Sequence, residues 1–325
     1  MDTPVILSHR TAWLLHHAPR RKQAVEQARQ QDIFEPDLKA CGIAVRLRTF
    51  LLACGIDESE LDRIDTLVYF SHDRQRTPAI RSHVLGRIPD SRHLLGVAKG
   101  LLVVDEELCY LQAATWMVPL ELVEYGFEVC GNYETRLGEN YVELPARTSK
   151  AELASTIAEL PRVRGAKRAR QALSLVRDRS RSPMETALAL AIMLPAESGG
   201  LGYKDIEMNR SVPIPGNMRR LCPSDHLDVD IYAPSVGAGV EYDGSAHAEL
   251  ERRTRDADRA SVLGAMGIPS RTITAGHFAS QLGFHRALLG VARLLGVEGR
   301  TDAEFQRRQN DLRMWLIRSW DSSRT

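Results

Sequence analysis

No stretch of this sequence approaches the roughly 20 apolar residues that a membrane-spanning helix needs. A membrane partner is therefore not expected. The opening residues, Met1-Asp2-Thr3-Pro4-Val5-Ile6-Leu7-Ser8-His9-Arg10, carry an early acid and no long apolar core. They do not read as a signal peptide, and a cytoplasmic location is the expectation. Paired cysteines are also missing. The five cysteines (Cys41, Cys54, Cys109, Cys130 and Cys222) are scattered, odd in number and never spaced C-x-x-C. Neither a zinc site nor a disulfide framework follows, and reduced, buried thiols are the simplest reading. An excess of one charge is absent as well: 43 Lys and Arg face 42 Asp and Glu. Global charge thus gives no argument for a nucleic-acid partner, and any such argument must rest on local patches.

What is present suits a folded chain. Hydrophobic residues make up 43% and charged residues 26%, enough apolar material for packed cores. A length of 325 residues suits about two domains. Ser8 caps a short helix over His9–His17, and a basic helix follows from Arg20 to Gln31. A third helix runs from Asp37 to Cys54, with Leu38, Ile43, Ala44, Leu47, Leu51 and Leu52 at near-helical spacing and Gly55 as its stop. The period then changes. Thr66–Ser71, Ser82–Leu85 and Leu101–Val104 read as strands, and 105–118 and 119–130 as amphipathic helices closed by Gly131. The first 150 residues thus suit a small winged-helix-like or mixed α/β module. His16, His17, His72, His83 and His93 have no Cys or carboxylate at a convincing ligand spacing and are assigned no role.

From Ala151 the chain turns helical and basic. Between Pro161 and Arg181, eight basic residues (Arg162, Arg164, Lys167, Arg168, Arg170, Arg177, Arg179, Arg181) face the single acid Asp178. Two readings stand: a phosphate-binding face for nucleic acid, or a solvated, Arg-rich linker helix over 151–181. Beside a nuclease-like site the first gains weight.

That site is suggested by two short strands, Asp228–Pro234 and Val240–Gly244. Val229, Ile231, Val240 and Tyr242 suit strands. Asp230, Glu241 and Asp243 do not, and a carboxylate set among apolar strand residues is costly unless paired or bound to a cation. If 234–239 is a turn, Asp230 and Glu241 occupy neighbouring strands. Glu241 and Asp243, two apart, share one face of theirs. Hard oxygen ligands of this kind suit Mg²⁺ or Mn²⁺; a salt bridge to one of the many arginines is the alternative. Upstream, Ser182-Pro183-Met184-Glu185 is a capping box with Pro at the first helical position. The helix behind it is apolar nearly all round. Arg210–Val212 is a strand only if it stops at Pro213. A charged helix over Glu249–Met266, ended by Gly267, leads to a strand over Ile268–Thr274. Two helices, Phe284–Leu295 and Ala303–Trp320, follow. A second domain over 182–298, read below as endonuclease-like on a resemblance, and a C-terminal helical segment over 299–325 are the resulting divisions.

The order helix, strand, strand, helix, strand, with those acids, resembles the PD-(D/E)xK nuclease superfamily. More closely it looks like the branch of endonuclease-like domains similar to very-short-patch mismatch-repair endonucleases. Asp230 before Tyr232-Ala233-Pro234, then Glu241-Tyr242-Asp243-Gly244 with His247, then Arg255-Asp256-Ala257-Asp258-Arg259, Gly267 and Arg271 carry the likeness, which covers about 181 to 295. The resemblance implies a restriction-endonuclease-like α/β domain that cleaves DNA with Mg²⁺ or Mn²⁺. It implies that Asp230 and Glu241 hold the metal, that Glu185 is the acid of the first core helix, and that His247 or Asp243 handles the attacking water. It also implies a departure. Asp243 stands where the superfamily usually has Lys, so Arg253, Arg259 or His247 must supply the positive charge, or the domain binds DNA without cutting. Arg164, Lys167 and Arg168 join Arg253 and Arg259 as backbone contacts. A weaker likeness links Ser8-His9-Arg10-Thr11-Ala12 to the winged-helix regions of abortive-infection type antitoxins.

Overall fold

Val5–Leu7 (β1) is only three residues long, yet the first half of the chain is built around it. The computed structural model describes residues 4–30, 40–75, 77–86, 90–137, 141–218, 224–244 and 261–318. The chain divides into two compact units, one of Met1–Cys130 with Glu134–Val176, the other of Gly131–Tyr133 with Arg177–Thr325.

In the first unit β1 pairs antiparallel with β2 (Ile64–Val68) and parallel with β5 (Leu101–Val104). β3 (Ile80–Val84) and β4 (Leu94–Ala98) flank these, giving a five-stranded mixed sheet in the order β3-β2-β1-β5-β4. The short β1 is buried on both sides, with Ile6 and Leu7 at 2% and 0% exposure. Three residues are too few to show a period, and the sequence reading passed over this strand. Helices α1 (His9–His16), α2 (Arg21–Gln30) and α3 (Ala40–Ala53) follow the expected segments closely. Gly55 ends α3 at φ +90°, a conformation that glycine adopts without strain. α4 (Glu106–Ala113) is capped by Asp105, whose carboxylate accepts the Leu108 N–H, and α5 (Pro119–Cys130) follows.

The unit is mixed α/β, as expected. A sheet organises it, rather than an accessory wing on a helical core, so the winged-helix variant of that expectation does not describe it. The expected linker over 151–181 also differs. Helices α6 (Lys150–Glu159) and α7 (Ala166–Leu173) pack against α4 and α5 and bury Leu153, Ile157, Leu160, Ala169 and Leu173. Their apolar stripe belongs to the core of this unit, and the arginines ride on the opposite face.

The second unit opens with α8 (Pro183–Met193), whose residues Met184–Met193 are all buried. A helix apolar all round belongs inside. Four strands follow: β6 (Glu207–Pro213), β7 (His226–Ala233), β8 (Ala238–Asp243) and β9 (Ser270–Thr274), in the order β9-β8-β7-β6. The first three form an antiparallel meander, and β8 and β9 are parallel, which demands a crossover connection. Residues 261–265 are helical within that crossover; the rest of the helix expected there lies outside the described residues. β7 alternates strictly. Leu227, Val229, Ile231 and Ala233 are buried, and Asp228, Asp230 and Tyr232 are half-buried on the other face. Leu227 and Val229 pack with Ile214, Val262, Leu263 and Ile268. α9 (Ala275–Ala279), α10 (Gln281–Leu294) and α11 (Ala303–Leu316) complete the unit. α11 buries Phe305, Leu312 and Leu316 and contacts α8 and α10, so the C-terminal segment is part of this unit.

The three residues Gly131–Tyr133 belong to this second unit although the chain on either side belongs to the first. The Asn132 N–H donates to the Ser180 carbonyl at 2.6 Å, and the Tyr133 hydroxyl bonds Thr186 Oγ1 at 3.0 Å.

Candidate functional site

The Ser182 hydroxyl accepts the Glu185 N–H at 3.1 Å, and Pro183 takes the first helical position, so the capping box forms as expected. It sets Glu185 on the first turn of α8, at the sheet face that carries the acids. Glu185 Oε2 accepts from the Arg181 N–H at 2.9 Å and from Asn209 Nδ2 at 2.6 Å, and the Ser182 hydroxyl donates to Oε1 at 3.3 Å. Helix capping and a place among the acids are thus not competing roles for this residue.

The sheet supplies the other side. Met208 lies opposite Ile231 and Arg210 opposite Val229, which sets Asn209 level with Asp230. Val240 lies opposite Ile231, so one step further Glu241 is level with Asp230, and Glu241 is paired with Thr272. Asn209, Asp230, Glu241 and Thr272 therefore form one row across four strands. Residues level with each other on neighbouring strands share a face. At this row the ladder departs from regularity: Asp230 Oδ2 accepts the Tyr242 N–H at 2.8 Å. Asn209 has φ +45°, and its side chain is tied to Glu185 and to the Arg179 carbonyl at 2.9 Å. Strained backbone of this kind clusters at functional sites. On the same face Asp228 is gripped by Arg181 at 2.6 Å, and hydrogen bonds from Arg181 and Ser211 hold its carboxyl below the usual range against the effect of burial.

Burial, and then the charge of Asp230, push the Glu185 carboxyl up to about 7, although bonds from Arg181, Asn209 and Ser182 oppose the rise. A folded value above the unfolded one contributes stability at low pH that is lost as pH rises, here between about 4.5 and about 7. Glu185→Gln is expected to remove that loss. Relative to its own stability at pH 4.5, the variant gains about 3 kcal/mol over wild type at pH 8. Urea denaturation at the two pH values measures this directly.

Asp243 sits two residues beyond Glu241 on the same side of β8. The intervening Tyr242 meets the Phe278 ring edge-on at 6.3 Å, on the side packed by α9 and α10. Arg271 also lies on that packed side: a Cβ on Gly290 of α10 would come within 2.1 Å of its guanidinium carbon. His247, Arg253 and Arg259 lie outside the described residues. Arg164, Lys167 and Arg168 are in the first unit. Lys167 is exposed on α7, and Arg168 donates to the Met117 carbonyl at 2.6 Å, so it holds the chain. Asn209 and Arg181 are the participants that sequence reasoning missed as site residues. No local signal marks an asparagine that will adopt a left-handed backbone.

Among the described residues, the one group of three that brings His, Asp or Glu ligand atoms within 4.8 Å of each other is elsewhere, at His93, Asp105 and Glu107. Glu185, Asp230 and Glu241 do not converge to that degree. In the first-unit group, Asp105 already caps α4 and bonds His93 Nδ1 at 2.7 Å, with Glu159 3.6 Å from Nε2. That group has a structural function in tying β4 and α4 to α6.

No family model, curated protein or solved structure matches this chain. Among the described residues no helix is long and apolar enough to cross a membrane.

Proposed function

We propose that the second unit is a nuclease domain of the PD-(D/E)xK kind, acting on DNA with Mg²⁺ or Mn²⁺. The observation that carries the reading is the row in which Asp230 and Glu241 lie level on adjacent strands, with Glu185 held over the same face. Like charges on one face oppose ionisation, and the Asp230 charge adds to burial in raising the Glu185 carboxyl. A hard cation would relieve that cost, and the donor set of carboxylate oxygens fits one. Asp230 and Glu241 would hold the ion, which when bound polarises a phosphate oxygen and lowers the pKa of a water. The element order, α8 then a three-strand meander, a crossover and β9, supports the same reading.

Within the site, Asn209 and the Arg181 N–H orient the Glu185 carboxylate, and the Tyr242 N–H fixes Asp230. Arg181, already on Asp228, brings a guanidinium to the face. In the metal-free site the Glu185 carboxyl is pushed up to about 7, so binding of a cation would displace its proton near neutrality and leave a carboxylate facing the ion. The test is direct. Full-length protein is incubated with supercoiled plasmid in Mg²⁺, in Mn²⁺ and in EDTA. Nicked or linear product is expected with either metal and none with EDTA. Asp243 favours a second reading, a DNA-binding protein with a degenerate nuclease fold, because an aspartate cannot supply the charge of a lysine. Retarded migration of DNA without product in either metal would select it.

A further inference from the structure

The first unit contains a cleft of about 770 Å³ that the nuclease reading does not use. Four separate segments line it: the start of α1 (His9, Arg10), the strands β2 and β3 with the loop between them (Asp65, Arg74, Arg81, His83), the end of α4 (Gln112, Trp116) and the α6–α7 connection (Arg162, Arg164). Five arginines and two histidines thus face one acid. That acid is already engaged: Asp65, 4% exposed, bonds His83 Nε2 at 2.7 Å and lies 3.6 Å from Arg81. Arg10 is paired with Glu60. Among the described residues Arg74, Arg162 and Arg164 have no carboxylate partner.

The centre of the cleft is unusual in its backbone and its rings. His9 has φ +50°, outside the region ordinary residues favour. Its N–H donates to Gln112 Oε1 at 2.7 Å, and its ring stacks on His83 with centroids 3.5 Å apart and planes within 13°. Gln112 is 2% exposed, and its Nε2 has no hydrogen-bond partner among the described residues. Five guanidinium groups lining one cleft against a single buried acid concentrate positive potential there. Burial, then His83, Arg81 and Arg164, all hold the His9 ring neutral, pushing its pKa down to about 2. The Trp116 ring lies 6.0 Å from the His9 ring and offers a flat apolar face at the cleft wall.

We propose that this cleft binds the phosphate of a nucleotide, with Arg162, Arg164 and Arg81 on the phosphate oxygens and Trp116 against the base. Guanidinium forks match phosphate geometry, and a base stacks well on an aromatic face. The volume suits a ligand of that size. Two sources share this chemistry: a free nucleoside monophosphate and the 5′-phosphorylated end of a nucleic-acid strand. The proposal stands on the first unit alone and does not depend on the nuclease reading.

Titration calorimetry on the full-length protein in EDTA tests it, with three probes: adenosine 5′-monophosphate, a 5′-phosphorylated oligonucleotide, and the same oligonucleotide with a 5′-hydroxyl. Binding of the monophosphate, displaced by millimolar inorganic phosphate, is expected if the ligand is free. A preference of at least tenfold for the 5′-phosphorylated over the 5′-hydroxyl strand is expected if the ligand is a strand end. In either case Arg162→Ala/Arg164→Ala should weaken binding at least tenfold. Both arginines are exposed, so the melting temperature should not move. No binding of any phosphorylated probe at millimolar concentration overturns the proposal. So does equal binding of the two oligonucleotides without monophosphate binding, or binding undiminished in the double variant.

Discussion

Arg147→Met is expected to destabilise the first unit by about 3–5 kcal/mol, a large part of what holds a domain folded. Arg147 lies between two buried carboxylates, 3.3 Å from Glu106 and 3.0 Å from Glu128. Glu128 also bonds His17 Nε2 at 2.9 Å and accepts the Thr135 N–H and hydroxyl at 3.1 and 2.8 Å. Glu106 accepts from the Tyr125 hydroxyl at 3.1 Å and lies 3.4 Å from His16. Without the guanidinium these acids keep His17 as their main charge partner, because burial lowers the His16 pKa to about 4 and leaves that ring neutral. Burial opposes ionisation of Glu128, but His17 and Arg147 overcome it and hold the carboxyl down to about 2. A depressed folded value gives stability above the unfolded pKa that is lost as pH falls through about 2. Burial also opposes protonation of His17, but Glu128 raises its pKa above 6.5. That contribution is complete below 6.5 and is lost as pH rises through the folded value. The network is thus strongest between about pH 4.5 and 6.5. Chemical denaturation across pH 3 to 8 checks both claims: a lower midpoint for Arg147→Met, and a flattened acid limb. An unchanged midpoint would show that Arg147 contributes nothing net to the network.

On the proposed nuclease reading, Asp230→Asn is expected to lower metal-dependent cleavage by on the order of 10³-fold. A ligand to a Lewis-acidic ion supports several kcal/mol of transition-state stabilisation, and each 1.36 kcal/mol is tenfold in rate. The amide oxygen can still accept the Tyr242 N–H, so melting should be near that of wild type. A second readout separates chemistry from packing. The Asp230 charge helps to raise the Glu185 pKa, so in EDTA the pH range over which Glu185 costs stability should move to lower pH in the variant. Cleavage that survives Asp230→Asn at near wild-type rate would remove Asp230 from the metal site.

Local signals were legible in the sequence, and distant meetings were not. Ser182, Pro183 and Glu185 announced a helix start because capping chemistry is confined to four residues. The alternation from Asp228 to Ala233 and the turn before Val240 announced neighbouring strands, and Pro213 marked the end of β6. By contrast, Asn209 joins Glu185 only through a left-handed backbone that nothing nearby dictates. His16 and His17 earned no role because their partners, Glu106 and Glu128, lie far along the chain. The same holds for His83, whose ring nitrogen meets Asp65 on the neighbouring strand. Counting charges over 161–181 also misled in part, since composition does not say where a guanidinium ends. Arg168 and Arg177 both terminate on backbone carbonyls, Arg177 at Ile206 and Lys204.

The placement of Asn132 and Tyr133 bears on how the chain is made and how it can be cut. A ribosome releases these residues before Ser180 and Thr186, their partners, have been synthesised. The strip is thus already made when the rest of the second unit emerges, and the unit can close on it as soon as Thr186 is out. A fragment beginning at Arg177 loses that strip. Expressed alone, it should be rescued in part when a short peptide spanning Gly131 to Tyr133 is fused to its N-terminus, ahead of Ser180.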